Sequence, residues 1–168
     1  MSEKKYCNRC DRTLPIENFS KDKKSKDGHS FYCKDCMSEY GKKYRNTPAG
    51  IYSNTKGKQK WCKENGDSRA KPFNISKEDF VKWHNSQPKF CVYCDIPEDK
   101  IPLFSEVYGG RDGRLSIDCK DNSLGYVKGN LVLACDTCNF LKSNVFSFEE
   151  MRELAQLFIK PKWQALTS

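Results

Sequence analysis

The sequence predicts an α+β protein: a small N-terminal module, a basic helical segment and a larger C-terminal domain of strands and helices. Three observations lead to this prediction. Cysteines recur in closely spaced pairs, alternating polar and apolar segments lie between glycine turns, and serines precede two helix-like segments. The 168 residues suffice for one domain or two small ones. We expect the boundaries at 1–45, 46–71 and 72–168.

Eight of the ten cysteines form four Cys-x-x-Cys pairs: Cys7/Cys10, Cys33/Cys36, Cys91/Cys94 and Cys135/Cys138. Two residues between thiolates let a tight turn direct both sulfurs at one tetrahedral zinc, whereas the same spacing makes a poor disulfide in most backbones. Joining neighbouring pairs predicts two structural zinc sites, one in each half. The alternative is a secreted disulfide scaffold, which the absence of an apolar N-terminal signal segment disfavours. Cys62 and Cys119 are left over.

Long apolar segments are missing. No uninterrupted apolar run is longer than that at Leu131–Cys135, and a transmembrane helix needs roughly 20 residues. We therefore expect no membrane span and a cytoplasmic protein.

The positive charge is concentrated in one part of the chain. Residues 1–71 hold 18 Lys and Arg against 9 Asp and Glu, whereas residues 72–168 hold 12 against 13. In the helix predicted over 51–64, Lys56, Lys58 and Lys60 lie between Tyr52 and Trp61. This asymmetry predicts an arm that binds a polyanion, and the alternative is an ordinary solvated surface.

The first half contains one zinc module and several helices. The 22 residues from Asp11 to Tyr32 are a normal loop for a zinc ribbon. A helix is expected over 34–44, a break at 47–50, and a short strand at 72–75. Ser76 is a predicted N-cap for a helix that ends near Ser86, because acidic residues follow it. His84 on that helix could be a ligand or a base, or an ordinary partly buried histidine.

The second half predicts a strand–turn–strand–helix order. The 40 residues from Asp95 to Ala134 are too many for a simple zinc finger, so we expect the function there. Strands are predicted at 114–118 and 130–134, and a short helix from Cys138. Ser147 opens a capping box for another helix, with a predicted buried stripe of Phe148, Met151, Leu154, Ala155 and Phe158.

Two side chains with oxygen ligands lie at the ends of predicted elements of this strand–turn–strand–helix order. Asp118 ends the first strand, and Asn139 directly follows the last cysteine. If the helix begins under the strand pair, the carboxylate and the amide oxygen meet and suit Mg²⁺. The alternative is that the two side chains never meet. A four-thiolate zinc nearby is closed and can only be structural.

Several segments together resemble a known family: Cys91-x-x-Cys94, Leu115-Ser116-Ile117-Asp118, Asp121-Asn122-Ser123, Gly125-Tyr126, Gly129-Asn130 and Cys135-x-x-Cys138-Asn139-x-x-Lys142. They are similar to zinc-stapled HNH (ββα-metal) endonucleases of the phage type, which include endonuclease VII-like nucleases. The resemblance covers about residues 90–145. The N-terminal module is similar to the zinc ribbon that often precedes such domains.

The resemblance implies a metal-dependent endonuclease that hydrolyses phosphodiester bonds in double-stranded DNA, in a bacterial or phage-infected cell. Asp118 and Asn139 would bind the catalytic cation, expected to be Mg²⁺, which would stabilise the leaving 3′ oxygen. Asn130 would fix the loop between the strands, and Lys142 could approach a phosphate or be a solvated lysine. A homodimer is possible.

The sequence departs from the family at Cys119, where the active archetypes carry the histidine base. A related subgroup has an Asp-Arg-x-Asp-Asn pattern, to which residues 118–122 are closer. Cys119 could be a weak base, a packed spectator, or a replacement that disables cleavage. The alternative functions are a catalytically impaired DNA-binding protein with the same fold and a zinc-dependent protein-interaction adaptor.

Overall fold

The computed structural model describes residues 3–109 and 113–167, and it confirms the α+β prediction. The chain divides into two compact units, Met1–Asn54 and Thr55–Ser168. The division falls inside one helix, so part of the basic segment belongs to the second unit. Within the described residues, no helix is both long and apolar enough to cross a membrane.

The first unit consists of two β-hairpins followed by a helix. Its strands are β1 (Lys4–Cys7), β2 (Arg12–Pro15), β3 (Phe19–Lys21) and β4 (His29–Cys33), and its helix is α1 (Lys34–Arg45). The strand pairs β1–β2 and β3–β4 are antiparallel. Three of the four cysteines and Phe19 form its small buried core, which Cys10 and Leu14 flank. Helix α2 (Pro48–Glu64) then runs across the boundary.

The second unit is built around one antiparallel strand pair with helices packed against it. Its elements are α3 (Lys77–Ser86), α4 (Ile101–Tyr108), β5 (Leu115–Cys119), β6 (Leu131–Cys135), α5 (Asp136–Lys142), α6 (Phe148–Leu154) and α7 (Lys160–Thr167). Strands β5 and β6 pair from Leu115 opposite Cys135 to Cys119 opposite Leu131. The order β5–β6–α5 is the strand–strand–helix unit expected from the sequence.

Local signals set the ends of several helices. Ser76 Oγ accepts the Asp79 amide at the start of α3. Ser147 and Glu150 form the expected reciprocal capping box at α6. Helix α4 was not expected from the sequence. Its first turn contains Pro102, a position where the missing amide costs no hydrogen bond within the helix. The helix ends before Gly109, which has a φ of 83°.

The buried stripe predicted after Ser147 is wrong at Phe158, and its residues Phe148 and Leu154 are only partly buried against the core. Met151 and Ala155 are fully buried as expected, but Phe158 is 64% exposed and Ile159 is buried in its place. A π-helical turn, Ala155–Ile159, separates α6 from α7. Because this turn holds one more residue than an α-helical turn, it moves the buried stripe one position along the chain.

Residues 72–75 join the loop between β5 and β6 instead of forming a full strand. Phe73 makes a single parallel bridge to Tyr126, and the backbone bonds Tyr126 N–H to Pro72 O and Asn74 N–H to Tyr126 O flank it. Gly125 allows this contact. Its φ is 66°, and a Cβ there would lie 2.4 Å from Pro72 O.

Candidate metal centres and the strand–strand–helix site

The first cysteine cluster lies where the two hairpins meet α1. The ligand atoms of Cys7, Cys10, Cys33 and Cys36 lie within 4.8 Å of one another. The Cys33 amide donates a hydrogen bond to Cys7 Sγ at 3.3 Å, and Arg12 Nε donates to Cys10 Sγ at 3.4 Å. Burial raises the pKa of the Cys7 thiol, but hydrogen bonds from backbone amides outweigh it and lower the pKa to about 6. Such an environment favours the thiolate that a metal requires.

The second cluster closes the β5–β6–α5 unit. Cys91 and Cys94 come from a turn before α4, Cys135 ends β6, and Cys138 lies in the first turn of α5. All four are buried, and their sulfur atoms also lie within 4.8 Å of one another. Both clusters therefore fit tetrahedral zinc. All ten cysteines are free, so the disulfide alternative is not supported.

The Asp118 carboxylate is buried and hydrogen-bonded, with 4% of its surface exposed. Its Oδ2 accepts a hydrogen bond from Tyr93 Oη at 2.7 Å and lies 3.5 Å from Lys142 Nζ. Its Oδ1 accepts the Cys119 amide at 2.8 Å. Lys142 is 1% exposed and also donates to Cys119 O at 2.8 Å. The lysine ammonium thus balances the Asp118 charge inside the unit instead of facing solvent.

Asn139 lies against the same strand. Its Nδ2 donates to Ser116 Oγ at 2.9 Å and to Ile117 O at 3.4 Å. Asn139 and Lys142 are three residues apart on α5, and Ser116 and Asp118 are two apart on β5, so the helix contacts one face of the strand at two successive points. Within the described residues, no hydrogen bond to Asn139 Oδ1 is present.

Asn130 holds the loop between β5 and β6. Its Oδ1 accepts the Asp121 amide at 2.9 Å, and its Nδ2 donates to Asp121 O and Gly125 O, each at 2.7 Å. Asn130 is 6% exposed. A buried amide that uses its donor and its acceptor in this way fixes the loop directly after Asp118.

Cys119 is fully buried at the end of β5. Burial raises the pKa of its thiol to about 11; the Lys71 charge opposes this increase, and the Asp118 charge adds to it. A neutral thiol without solvent access is poorly placed to accept a proton from water. The structure thus favours the packed or disabling roles of Cys119 over that of a base.

The remaining residues singled out in the sequence lie elsewhere in the second unit. Lys56, Lys58 and Lys60 are exposed on α2, whose residues Gln59 and Cys62 are buried. His84 packs against Phe80 and Trp83, and burial lowers its pKa. It belongs to neither cysteine cluster.

Sequence reasoning missed Tyr93 as a partner of Asp118. Tyr93 lies between the two cysteines of the pair Cys91/Cys94, and its hydroxyl reaches a residue 25 positions later. Hydrophobic periodicity does not predict a contact between two residues so far apart in the sequence. The sequence carried no clear signal for this contact, because the corresponding residues of two other Cys-x-x-Cys pairs, Arg9 and Asp35, are exposed.

No protein-family model and no curated protein matches the sequence. The chain is similar to a solved structure of PacI, a rare-cutting HNH restriction endonuclease for which a mechanism of DNA perturbation is described. The similarity covers 98% of this chain and 97% of that chain, with 26% sequence identity and a TM-score of 0.49. This TM-score is too low to establish a common fold, so the function is inferred from the site residues.

Proposed function

We propose that the protein is a metal-dependent endonuclease of the HNH (ββα-metal) type that hydrolyses phosphodiester bonds in double-stranded DNA. One observation carries the proposal: in the β5–β6–α5 unit, closed by four cysteines, Asn139 of α5 donates hydrogen bonds to the strand that carries Asp118. A structural zinc beside a carboxylate and an amide is an arrangement suited to a second, catalytic cation.

The donor atoms fit a hard divalent cation such as Mg²⁺. Asn139 Oδ1 accepts no hydrogen bond from the described residues, and Asp118 Oδ1 accepts only a backbone amide. Both are oxygen ligands of the kind that Mg²⁺ prefers. When bound, the cation would supply charge stabilisation at the leaving 3′ oxygen. The chain's own residues hold the two ligands: Asn130 fixes the loop after Asp118, and Ser116 orients the Asn139 amide.

The basic part of α2 supports DNA as the substrate. Lys56 and Lys60 are one helical turn apart on an exposed face, and Lys58 points to another. The Lys60 ion pair with Glu64 is exposed and 3.7 Å long, so it leaves the ammonium accessible to a phosphate. The second unit alone carries 18 Lys and Arg against 15 Asp and Glu.

A second candidate is a DNA-binding protein that has lost cleavage. The burial of Cys119 and the ion pair between Asp118 and Lys142 favour it, because the Cys119 thiol is poorly placed to act as a base and the Asp118 carboxylate does not face solvent. Both candidates predict DNA binding, and only the first predicts hydrolysis.

Mg²⁺-dependent cleavage of supercoiled, linear and branched DNA by the zinc-loaded chain tests the proposal. We expect cleavage by the parent, and its loss in Asp118→Ala and Asn139→Ala with zinc content and DNA affinity retained. Asp99→Ala, which removes an exposed carboxylate of the same unit, is the matched control. Parental rates in Asp118→Ala would exclude the proposed site.

The variant Cys119→His separates the two candidates in the same assay. General-base catalysis contributes roughly 10²–10⁴-fold, so an inert parent that gains cleavage as Cys119→His would identify the binding protein. An active parent whose rate is unchanged in Cys119→Ala would show that another group activates water.

A further inference from the structure

We propose that Tyr93 is a positioning residue that orients Asp118 for cation binding, so that the second cysteine cluster sets the geometry of the catalytic site. This inference rests on the proposed function and adds to it a residue outside the resemblance. The carrying observation is the 2.7 Å hydrogen bond from Tyr93 Oη to Asp118 Oδ2 between two buried side chains.

The Tyr93 hydroxyl selects one of two carboxylate oxygens. It donates to Oδ2, the oxygen that also faces Lys142, whereas Oδ1 accepts only the Cys119 amide within the described part of the chain. With both side-chain partners on Oδ2, the carboxylate cannot rotate freely about its Cβ–Cγ bond. Oδ1 is therefore the oxygen left for a cation.

The position of Tyr93 depends on the metal ligands around it. Cys91 and Cys94 flank it at two and one residues, so the turn that gathers their sulfurs also directs the Tyr93 ring. The backbone of the turn is held from outside as well. Gln156 Nε2 donates to Tyr93 O at 2.7 Å, and Trp163 Nε1 donates to Cys94 O at 2.9 Å.

The Tyr93 ring is fixed by packing and stays a donor. Its ring centroid lies 5.4 Å from that of Phe148, and the side chain is fully buried. A tyrosine hydroxyl has an ordinary pKa of about 10, so at neutral pH it is protonated and is the donor of this hydrogen bond.

Titration calorimetry of Mn²⁺ and Mg²⁺ into the zinc-loaded full chain tests the inference without requiring cleavage. Partners that orient a metal ligand typically contribute 10–100-fold to metal affinity. We expect Tyr93→Phe to weaken divalent-cation binding by about 10-fold or more, with two zinc ions per chain and the far-ultraviolet circular dichroism spectrum unchanged.

Tyr126→Phe is the matched control, because Tyr126 is a buried tyrosine of the same unit whose hydroxyl hydrogen-bonds Gln59 and not Asp118. It should bind the cation as the parent does. Parental affinity in a correctly loaded Tyr93→Phe would overturn the inference, and equal weakening in both variants would do the same by pointing to a general loss of packing.

Asp118→Ala distinguishes a failure of this inference from a failure of the proposed function. If Asp118→Ala loses the cation and Tyr93→Phe does not, the cation site stands and Tyr93 does not position it. If the parent and Asp118→Ala bind the cation equally, the proposed site itself is wrong, and the inference falls with it.

Discussion

The two cysteine clusters share one local layout but have different neighbours. In each, the third cysteine ends a strand and is the N-cap of a helix, and the fourth lies in that helix's first turn. After the fourth cysteine, the first unit carries Met37 and Tyr40, which are 44% and 51% exposed. The second unit carries Asn139 and Lys142 at the corresponding positions, both directed at β5.

The two clusters therefore differ in the residues that surround the cysteines and not in the arrangement of the cysteines themselves. In both clusters, the turns at the Cys-x-x-Cys pairs bring four thiolates together. This local arrangement of the cysteines is the same in the two units. Among the residues that the structure describes, only those around the cysteines of the second unit contact a buried carboxylate. Under the proposed function, the side chains that flank the ligands of the second cluster, and not the arrangement of its cysteines, would provide the catalytic site.

Loss of one cluster at a time should give the largest effect. Structural zinc contributes on the order of 10 kcal/mol in small modules. We expect two zinc ions per chain in the parent and one each in Cys36→Ser and Cys138→Ser, measured by elemental analysis. Cleavage should be lost in Cys138→Ser because its cluster holds the site.

Cys62→Ser, at a buried cysteine outside both clusters, should retain two zinc ions. A parent with a single zinc would mean that the two clusters are not equivalent metal sites, and the comparison between them would then fail.

Replacement of the buried lysine of the second unit should give a smaller but clear loss of stability. Lys142→Met leaves the Asp118 carboxylate buried without the lysine ammonium that balances its charge, which should lower the free energy of unfolding by about 3–5 kcal/mol. Lys160→Met removes a shorter ion pair, 2.7 Å to Asp95, but both of its side chains are partly exposed. An exposed pair contributes about 0–1 kcal/mol.

Urea unfolding of both variants, with zinc bound, measures these two free energies. Equal losses in Lys142→Met and Lys160→Met would show that burial does not distinguish the two ion pairs.

The basic face of α2 should give the smallest effect. Each phosphate contact contributes a slope of roughly −0.9 to the dependence of log K on log salt concentration. Replacing Lys56 and Lys60 by alanine should therefore flatten the slope by about 2, measured by fluorescence anisotropy with duplex DNA. The arginine versions of both positions should keep the parental slope. Flattening by Lys58→Ala instead would place the DNA on the other face.

Local patterns predicted much of the fold. The Cys-x-x-Cys spacing located both clusters because two ligands in one turn are a local feature, and the serine caps at Ser76 and Ser147 located two helix starts. The alternation around Ile117 indicated a strand of the central pair.

Long-range contacts could not be predicted in the same way. The partners of Asp118 are residues 25 positions before it and 24 after it, and they depend on how the Cys91–Cys94 turn and α5 pack against β5. The π turn after Leu154 was also missed, because its extra residue leaves no mark in the sequence and appears only as the exchange of Phe158 for Ile159 in the core.

The contact at Gly125 has a consequence for how this chain can be recombined with others. Because Pro72 O would clash with any Cβ at that position, residues 72–75 and the β5–β6 loop have to be inherited together. A chimeric protein joined between α3 (Lys77–Ser86) and β5 would pair a foreign loop with this segment and lose the fit. A junction before residue 72 keeps both sides of the contact on one parent, and the boundary between Asn54 and Thr55 is one such position, where the joined sequence has to preserve helix α2.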